Sequence, residues 1–211
     1  MPSDVKGAAR TGPAPRPALA LDGLTDLPPG KIAAVATYLE MRAAPPRLAA
    51  VPPAGTLARL GDPGRYRALY RAVGEPWLWF SRAGLPDARL AAIVGHPEVE
   101  AWALVEGGRD LGIAELDFRQ PGECELAFFG LIPEATGRGL GRRLMAEAVR
   151  RAFRRPLRRL WLHTCTLDHP AALPFYLSSG FTPYRRAIEV ADDPRLSGQM
   201  PRHAAPQFPI V

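Results

Sequence analysis

The chain has 211 residues, 47% hydrophobic and 23% charged, which fits one globular domain and excludes two large ones. No apolar run reaches the roughly eighteen residues of a membrane-spanning helix, and the first twenty residues lack the unbroken apolar stretch of a signal peptide, so a soluble cytoplasmic protein with no membrane partner is expected. Two cysteines are too few for a disulfide framework or a four-cysteine zinc site, and 27 basic against 21 acidic residues leave a net charge of +6.

Residues 1–22 are rich in Pro, Ala, Gly and Arg without periodicity and read as a flexible tail. Residues 31–42 favour a first strand by their β-branched and aromatic content, although frequent Ala leaves a helix open. Asp62-Pro63 has the form of an N-cap followed by proline at the first helical position. It opens a helix on which Tyr66, Leu69, Tyr70 and Val73 recur at helical spacing up to Gly74. Pro86-Asp87 opens a second helix, closed by Gly95. Three apolar-rich runs, 99–107, 110–118 and 123–132, are separated by Gly107-Gly108 and Pro121-Gly122 and read as a meander. Leu140, Leu144, Met145, Ala148, Val149 and Ala152 then form one stripe of a long amphipathic helix. A strand (158–166), a short helix (about 170–177, ended by Gly180) and a last strand (181–190) complete an order of βααβββαβαβ. This is an α/β (α+β) arrangement with a parallel crossover only in its second half. Residues 191–211, with four prolines, read as an extended or loosely docked arm, leaving residues 23–190 as the domain.

The segment LIPEATGRGLGRRL places Gly137, Gly139 and Gly141 where a strand ends and the amphipathic helix begins. Each glycine in a first helical turn costs up to about 1 kcal/mol against Ala, so something should offset it. An anion can: free N–H groups and the helix dipole attract phosphate, glycines allow close approach, and Arg138, Arg142 and Arg143 add charge. A P-loop is excluded because no Gly-x4-Gly-Lys-Ser/Thr string exists. A dinucleotide fingerprint fails because Arg142 stands at its third glycine.

This segment resembles the acetyl-CoA motif of the GNAT superfamily of N-acetyltransferases, Gln/Arg-x-x-Gly-x-Gly/Ala, here Thr136-Gly137-Arg138-Gly139-Leu140-Gly141, with Thr136 in place of the leading Gln or Arg. The string DHPAALPFYLSSGF is similar to the superfamily's second signature, with His169 in the Asn position and Ala172, Tyr176 and Gly180-Phe181 matching. The resemblance covers roughly residues 31–190. It implies a mixed, mostly antiparallel central sheet with flanking helices, in which strand 123–132 splays from strand 158–166 to form the cofactor cleft. It further implies direct acetyl transfer from acetyl-CoA to a primary amine, with Leu131, Thr136, Gly137, Arg138, Gly139, Leu140, Gly141 and Arg142 binding the cofactor and no metal. A backbone N–H near Leu131 would meet the oxyanion. Tyr176 would be the acid that serves the departing thiolate; a proline at 174 could kink its helix and move it.

For the base, Glu125 lies eleven positions before Thr136, as the base does in histone-type members, and twofold alternation puts it on the face of Ala127, Phe129 and Leu131. An apolar setting would raise its pKa; a solvated carboxylate beside a turn is the bland alternative, and Glu115 the reserve. His163, Cys165, Asp168 and His169 cluster, but zinc wants well-spaced ligands and a thiol nucleophile a converging base. They read instead as cleft lining for His163 and as caps of the next helix for Asp168 or His169. Trp77 is a further candidate for the acceptor side. A non-catalytic acyl-CoA-binding or regulatory module is the alternative function. Nucleic acid is not the expected partner, since no aromatic-basic run accompanies the charge. The acceptor amine is not legible, nor is the oligomeric state, a homodimer being one option.

Overall fold

The computed structural model describes residues 22–52 and 55–211. The tail expected over residues 1–22 therefore lies outside the described residues, except Asp22. Seven strands form one sheet. In chain order the elements are β1 (Lys31–Met41), α1 (Pro46–Ala49), β2 (Thr56–Arg59), α2 (Pro63–Gly74), α3 (Asp87–Val94), β3 (Val99–Glu106), β4 (Arg109–Asp117), β5 (Glu123–Leu131), α4 (Leu140–Ala152), β6 (Arg159–Cys165), α5 (Ala172–Ser179) and β7 (Thr182–Asp192). Across the sheet the order is β2, β3, β4, β5, β6, β1, β7. Every neighbouring pair is antiparallel except β5 and β6, which the α4 crossover joins in parallel. The mixed, mostly antiparallel sheet expected from the sequence is thus present. Two short elements, α1 and β2, were not legible in the Pro-rich connection, where four residues carry no period.

Helices cover both faces. On one, α2 begins where the Asp62 carboxylate accepts the Arg65 backbone N–H at 2.7 Å, and it buries Tyr66, Leu69, Tyr70 and Val73. On the other, α4 buries Leu140, Leu144, Met145, Ala148 and Val149, as its stripe requires. The two faces are separated by single positions in one strand pair. A side chain at Gly130 would collide with Val73 of α2, whereas one at Gly112, opposite Leu131, would meet Leu144 of α4.

Beyond β7 the chain is not extended. It turns back and buries Met200, Ala204 and Ala205 against Leu78, with Ile32, Phe80 and Phe208 packed around them. Arg195 holds these turns: its buried guanidinium donates to both Asp193 oxygens and to the carbonyls of Ala204, Ala205 and Phe208. Gln207 donates to the Pro76 carbonyl at 2.6 Å, tying the segment to the loop after α2. Removing one partner of a buried pair strands the other charge. Arg195→Ala should therefore lower the urea unfolding midpoint by the equivalent of about 3–5 kcal/mol, with Arg195→Lys recovering only part because it lacks the planar fork.

Candidate active site

β5 and β6 pair at only three positions, Glu123 with Arg159, Cys124 with Leu160 and Glu125 with Trp161. β6 stays in register with β1 through Cys165, and β5 with β4 through Leu131, so the two strands part beyond Glu125. The wedge between them is a cleft of about 680 Å³ lined from both faces of the sheet. Within it, the edge of β5 that faces β6 has no strand partner among the described residues from Leu126 onward, so main-chain N–H and C=O groups are open to a ligand.

A β-bulge sits at the start of the wedge. The β4 register moves from Glu115 opposite Phe128 to Leu116 opposite Leu126, leaving Ala127 as the extra residue. This corrects the twofold alternation read from the sequence: Glu125 shares its face with Phe128, Glu115 and Asp117, not with Phe129 and Leu131. Phe128 accordingly packs on Tyr70 and Trp79 of the α2 side. Phe129 stacks on Phe175 and meets Tyr176 of α5 on the other side.

At the cofactor end, Gly137 and Gly139 have φ of +73° and +74°, and Gly139 is the N-cap of α4 with no side-chain cap. A Cβ at either would meet nothing within 4 Å, so the left-handed backbone, not crowding, selects glycine there. The first N–H groups of α4 open on the cleft. Leu131, Thr136, Gly137, Gly139, Gly141 and Arg142 line it, and Arg142 has no ion pair among the described residues. Arg138 and Leu140 do not. Arg138 pairs with Glu106 at the surface, and the Leu140 side chain is buried in the core, leaving only its backbone for a ligand. The Thr136 hydroxyl donates to the Pro133 carbonyl at 2.7 Å.

Tyr176 lines the same cleft from α5. Pro174 does not displace it. The proline falls in the first turn of α5, where its missing N–H has no helical acceptor to lose, and the helix runs unbroken to Ser179. Gly180, at φ +107°, reverses the chain so that Phe181 packs edge-on to Tyr176 at 6.1 Å. The Tyr176 phenol makes no hydrogen bond to the described residues, and burial, with Asp168 nearby, raises its pKa well above the usual phenol range. The phenol is therefore protonated near neutrality and can donate a hydrogen bond.

Asp168 caps no helix. It accepts from Trp79 Nε1 at 3.1 Å, from the Thr164 hydroxyl at 2.7 Å and from the Cys165 N–H at 2.8 Å, and so fixes an indole in the cleft wall. This Asp–Trp bond spans 89 positions and has no local sequence signal. His169 Nδ1 instead accepts the Ala171 N–H. Trp77 meets His169 edge-on at 4.9 Å, and both line the cleft with His163. Glu125 stands just behind, its Oε1 3.9 Å from His163 Nδ1. Burial, with Asp117 and Glu115 nearby, pushes the Glu125 carboxyl up to about 7. Glu115 is engaged elsewhere: it is fully buried, accepts from Tyr66 Oη and pairs with Arg82 at 3.0 Å. Burial raises the Cys165 thiol to about 11, so it stays protonated near neutrality. Among the described residues no group of three His, Cys, Asp or Glu could hold a metal, and no helix is long and apolar enough to cross a membrane.

Solved structures share this fold. A GNAT-family protein from Novosphingobium aromaticivorans superposes with a TM-score of 0.53 at 21% identity, over 79% of this chain and 68% of its own. A GCN5-related N-acetyltransferase from Sphaerobacter thermophilus gives 0.54 at 17% identity, over 75% of this chain and 51% of its own. This chain thus spans between half and about two thirds of their lengths. A search of curated proteins finds no match to the sequence. The family model described as the acetyltransferase (GNAT) family matches residues 66–181, from the first turn of α2 to the Phe181 that packs on Tyr176. With more than half of the chain matched and the splayed strands, glycine turn and α5 phenol in place, the chain belongs to the GNAT family of acetyltransferases.

Proposed function

We propose that the protein transfers an acetyl group from acetyl-CoA directly to a primary amine. The observation that carries this reading is the pair of left-handed glycines at an uncapped helix N-terminus opening on the same cleft as the Tyr176 phenol. The N–H groups from Gly137 to Gly141 and the Arg142 guanidinium would hold the pyrophosphate. The unpaired edge of β5 would hold the pantetheine amides, with a backbone N–H near Leu131 donating to the oxyanion. The thioester supplies the activated acyl group. Amine and thioester meet where the two sheet faces join, between Phe129 and Phe128.

Proton flow follows from the placement of the side chains. The amine proton passes to His163 in the cleft, with Glu125 behind it as the carboxylate that receives or stabilises the charge; 3.9 Å suits a small rotation or one bridging water. Tyr176 donates a hydrogen bond to the departing sulfur. Because its pKa lies above that of a thiol, it stabilises the thiolate without giving up its own proton, and CoA leaves as the thiolate and takes its proton from solvent, while the amine proton goes to His163 and Glu125. A CoA-binding module without turnover is the competing reading, and the assays below separate the two.

Calorimetric titration should give acetyl-CoA binding that Gly139→Glu weakens at least tenfold, since the new carboxylate would strain the turn and repel phosphate; full affinity in the variant would remove the loop from the site. Tyr176→Phe should lower kcat by about 10²-fold with acetyl-CoA affinity nearly unchanged, as expected for a group acting only in the transition state. The Glu125 carboxyl is raised, so the reactive carboxylate is lost as pH falls through about 7. kcat/KM should rise with pH through that value and level above it, and Glu125→Gln should lower the plateau and abolish this limb.

A further inference from the structure

The cleft has two chemically different halves. On the α4 and α5 side it has the glycine backbone and Arg142, suited to phosphate, beside the apolar side chains of Leu131, Phe129 and Phe175. On the α2 side its walls are Val73, Trp77, Trp79, Phe128, His163 and His169. Asp168 is the one carboxylate among the cleft-lining residues, and its oxygens already accept three hydrogen bonds. A carboxylate has about four acceptor positions, so little of Asp168 remains for a ligand. Glu125 lies behind His163 and serves one charge at most.

We infer that the acceptor is a hydrophobic primary monoamine, an aryl or alkyl chain bearing a single ammonium group, and not a polyamine or other polycation. This rests on the acetyl-transfer reading of the cleft. A polycation would bring several ammonium groups to a cleft whose one lining carboxylate is already bonded; the aromatic faces attract a cation but supply no ion pair for each of several buried charges. A monoamine meets the opposite conditions. Its apolar skeleton buries against the aromatic walls, and its single ammonium group passes one proton to His163 and Glu125, leaving the free amine that attacks the thioester.

The aromatic walls have unequal freedom. Trp79 is fixed by its bond to Asp168 and by glycines on two sides: a Cβ on Gly130 would lie 3.3 Å from its ring, and one on Gly74 2.4 Å from its Cβ. Trp77 is half-buried and, among the aromatic rings of the described residues, meets only that of His169. The geometry therefore makes Trp79 the fixed back wall and Trp77 the side chain that closes on the acceptor skeleton.

The test is a competition of acceptors on the full-length protein, reading CoA release with phenethylamine, hexylamine, spermidine and kanamycin. Acetyl-CoA binding is measured by calorimetry on the same preparation. The expected result is kcat/KM for phenethylamine and hexylamine at least 10²-fold above that for spermidine and kanamycin. Trp77→Ala should lower kcat/KM for phenethylamine about tenfold through KM, with acetyl-CoA affinity unchanged, and Trp77→Phe should restore most of it. Acetyl-CoA binding accompanied by preferred turnover of spermidine or kanamycin overturns the inference while leaving the cofactor site standing. So does acetyl-CoA binding with no turnover of either monoamine. Absence of acetyl-CoA binding overturns the reading of the cleft on which the inference rests.

Discussion

The site depends on a division of partners among strands. β6 is hydrogen-bonded along its length to β1, the first strand of the described residues, and pairs in register with β5 at three positions only. Had β6 continued beside β5, the sheet would have closed and no edge would have been left for a ligand. The bulge at Ala127 bends β5 at the point of parting, and Gly130 lets Val73 and Trp79 approach the strand where any side chain would block them. The cleft is thus bounded on one side by a strand held by its hairpin partner β4 and on the other by a strand held from the far end of the sequence. Neither wall can collapse into the gap without breaking its own ladder.

Charge placement follows from the same bulge. By turning Glu125 onto the α2 face, it brings three carboxylates, Glu115, Asp117 and Glu125, onto one side of neighbouring strands. Two of them are answered by guanidinium groups, Glu115 by Arg82 and Asp117 by Arg119. Burial would raise the Asp117 carboxyl, but the Arg119 hydrogen bonds hold it below the usual range. Glu125 is left without such a partner and carries the cost of burial and of two like charges, which is what a base working near neutrality requires. A partnered carboxylate in its place would be held low and would be a weaker base.

Much of this was legible in the sequence because it is local. The Asp62-Pro63 start of α2, the apolar stripe of α4, and the glycines at 137, 139 and 180 each announce a conformation within a few residues. What stayed hidden is non-local. The side of β5 on which Glu125 falls depends on one extra residue whose only sign is its pairing with β4. Position 31–41 reads as a strand, but nothing in it says that it will insert between the last two strands of the chain. Arg138 looked like a phosphate ligand by position, yet a carboxylate 32 residues earlier claims it. The prolines of the last segment suggested an extended or loosely docked arm, while the buried Arg195 gathers its carbonyls into closely packed turns.

That last segment also bears on the site. Leu78 lies between the two indoles of the acceptor wall with φ +55°, a left-handed conformation that costs a non-glycine residue on the order of 1 kcal/mol. It is held there by burial against Met200, Ala204 and Ala205, and the neighbouring Pro76 carbonyl is bound by Gln207. Trp79, the next residue, is then pinned by Asp168 from the loop after β6. A wall assembled from residues near 78, 168 and 200 is stiffer than a loop carried by α2 alone, because each contact fixes a backbone that the others would leave free to rotate. Stiffness matters for direct transfer, in which amine and thioester must reach attack distance without a covalent enzyme intermediate to hold either one. The turns after β7, outside the matched family region, therefore brace the half of the cleft proposed for the acceptor, opposite the half on β5, α4 and α5 proposed for the cofactor.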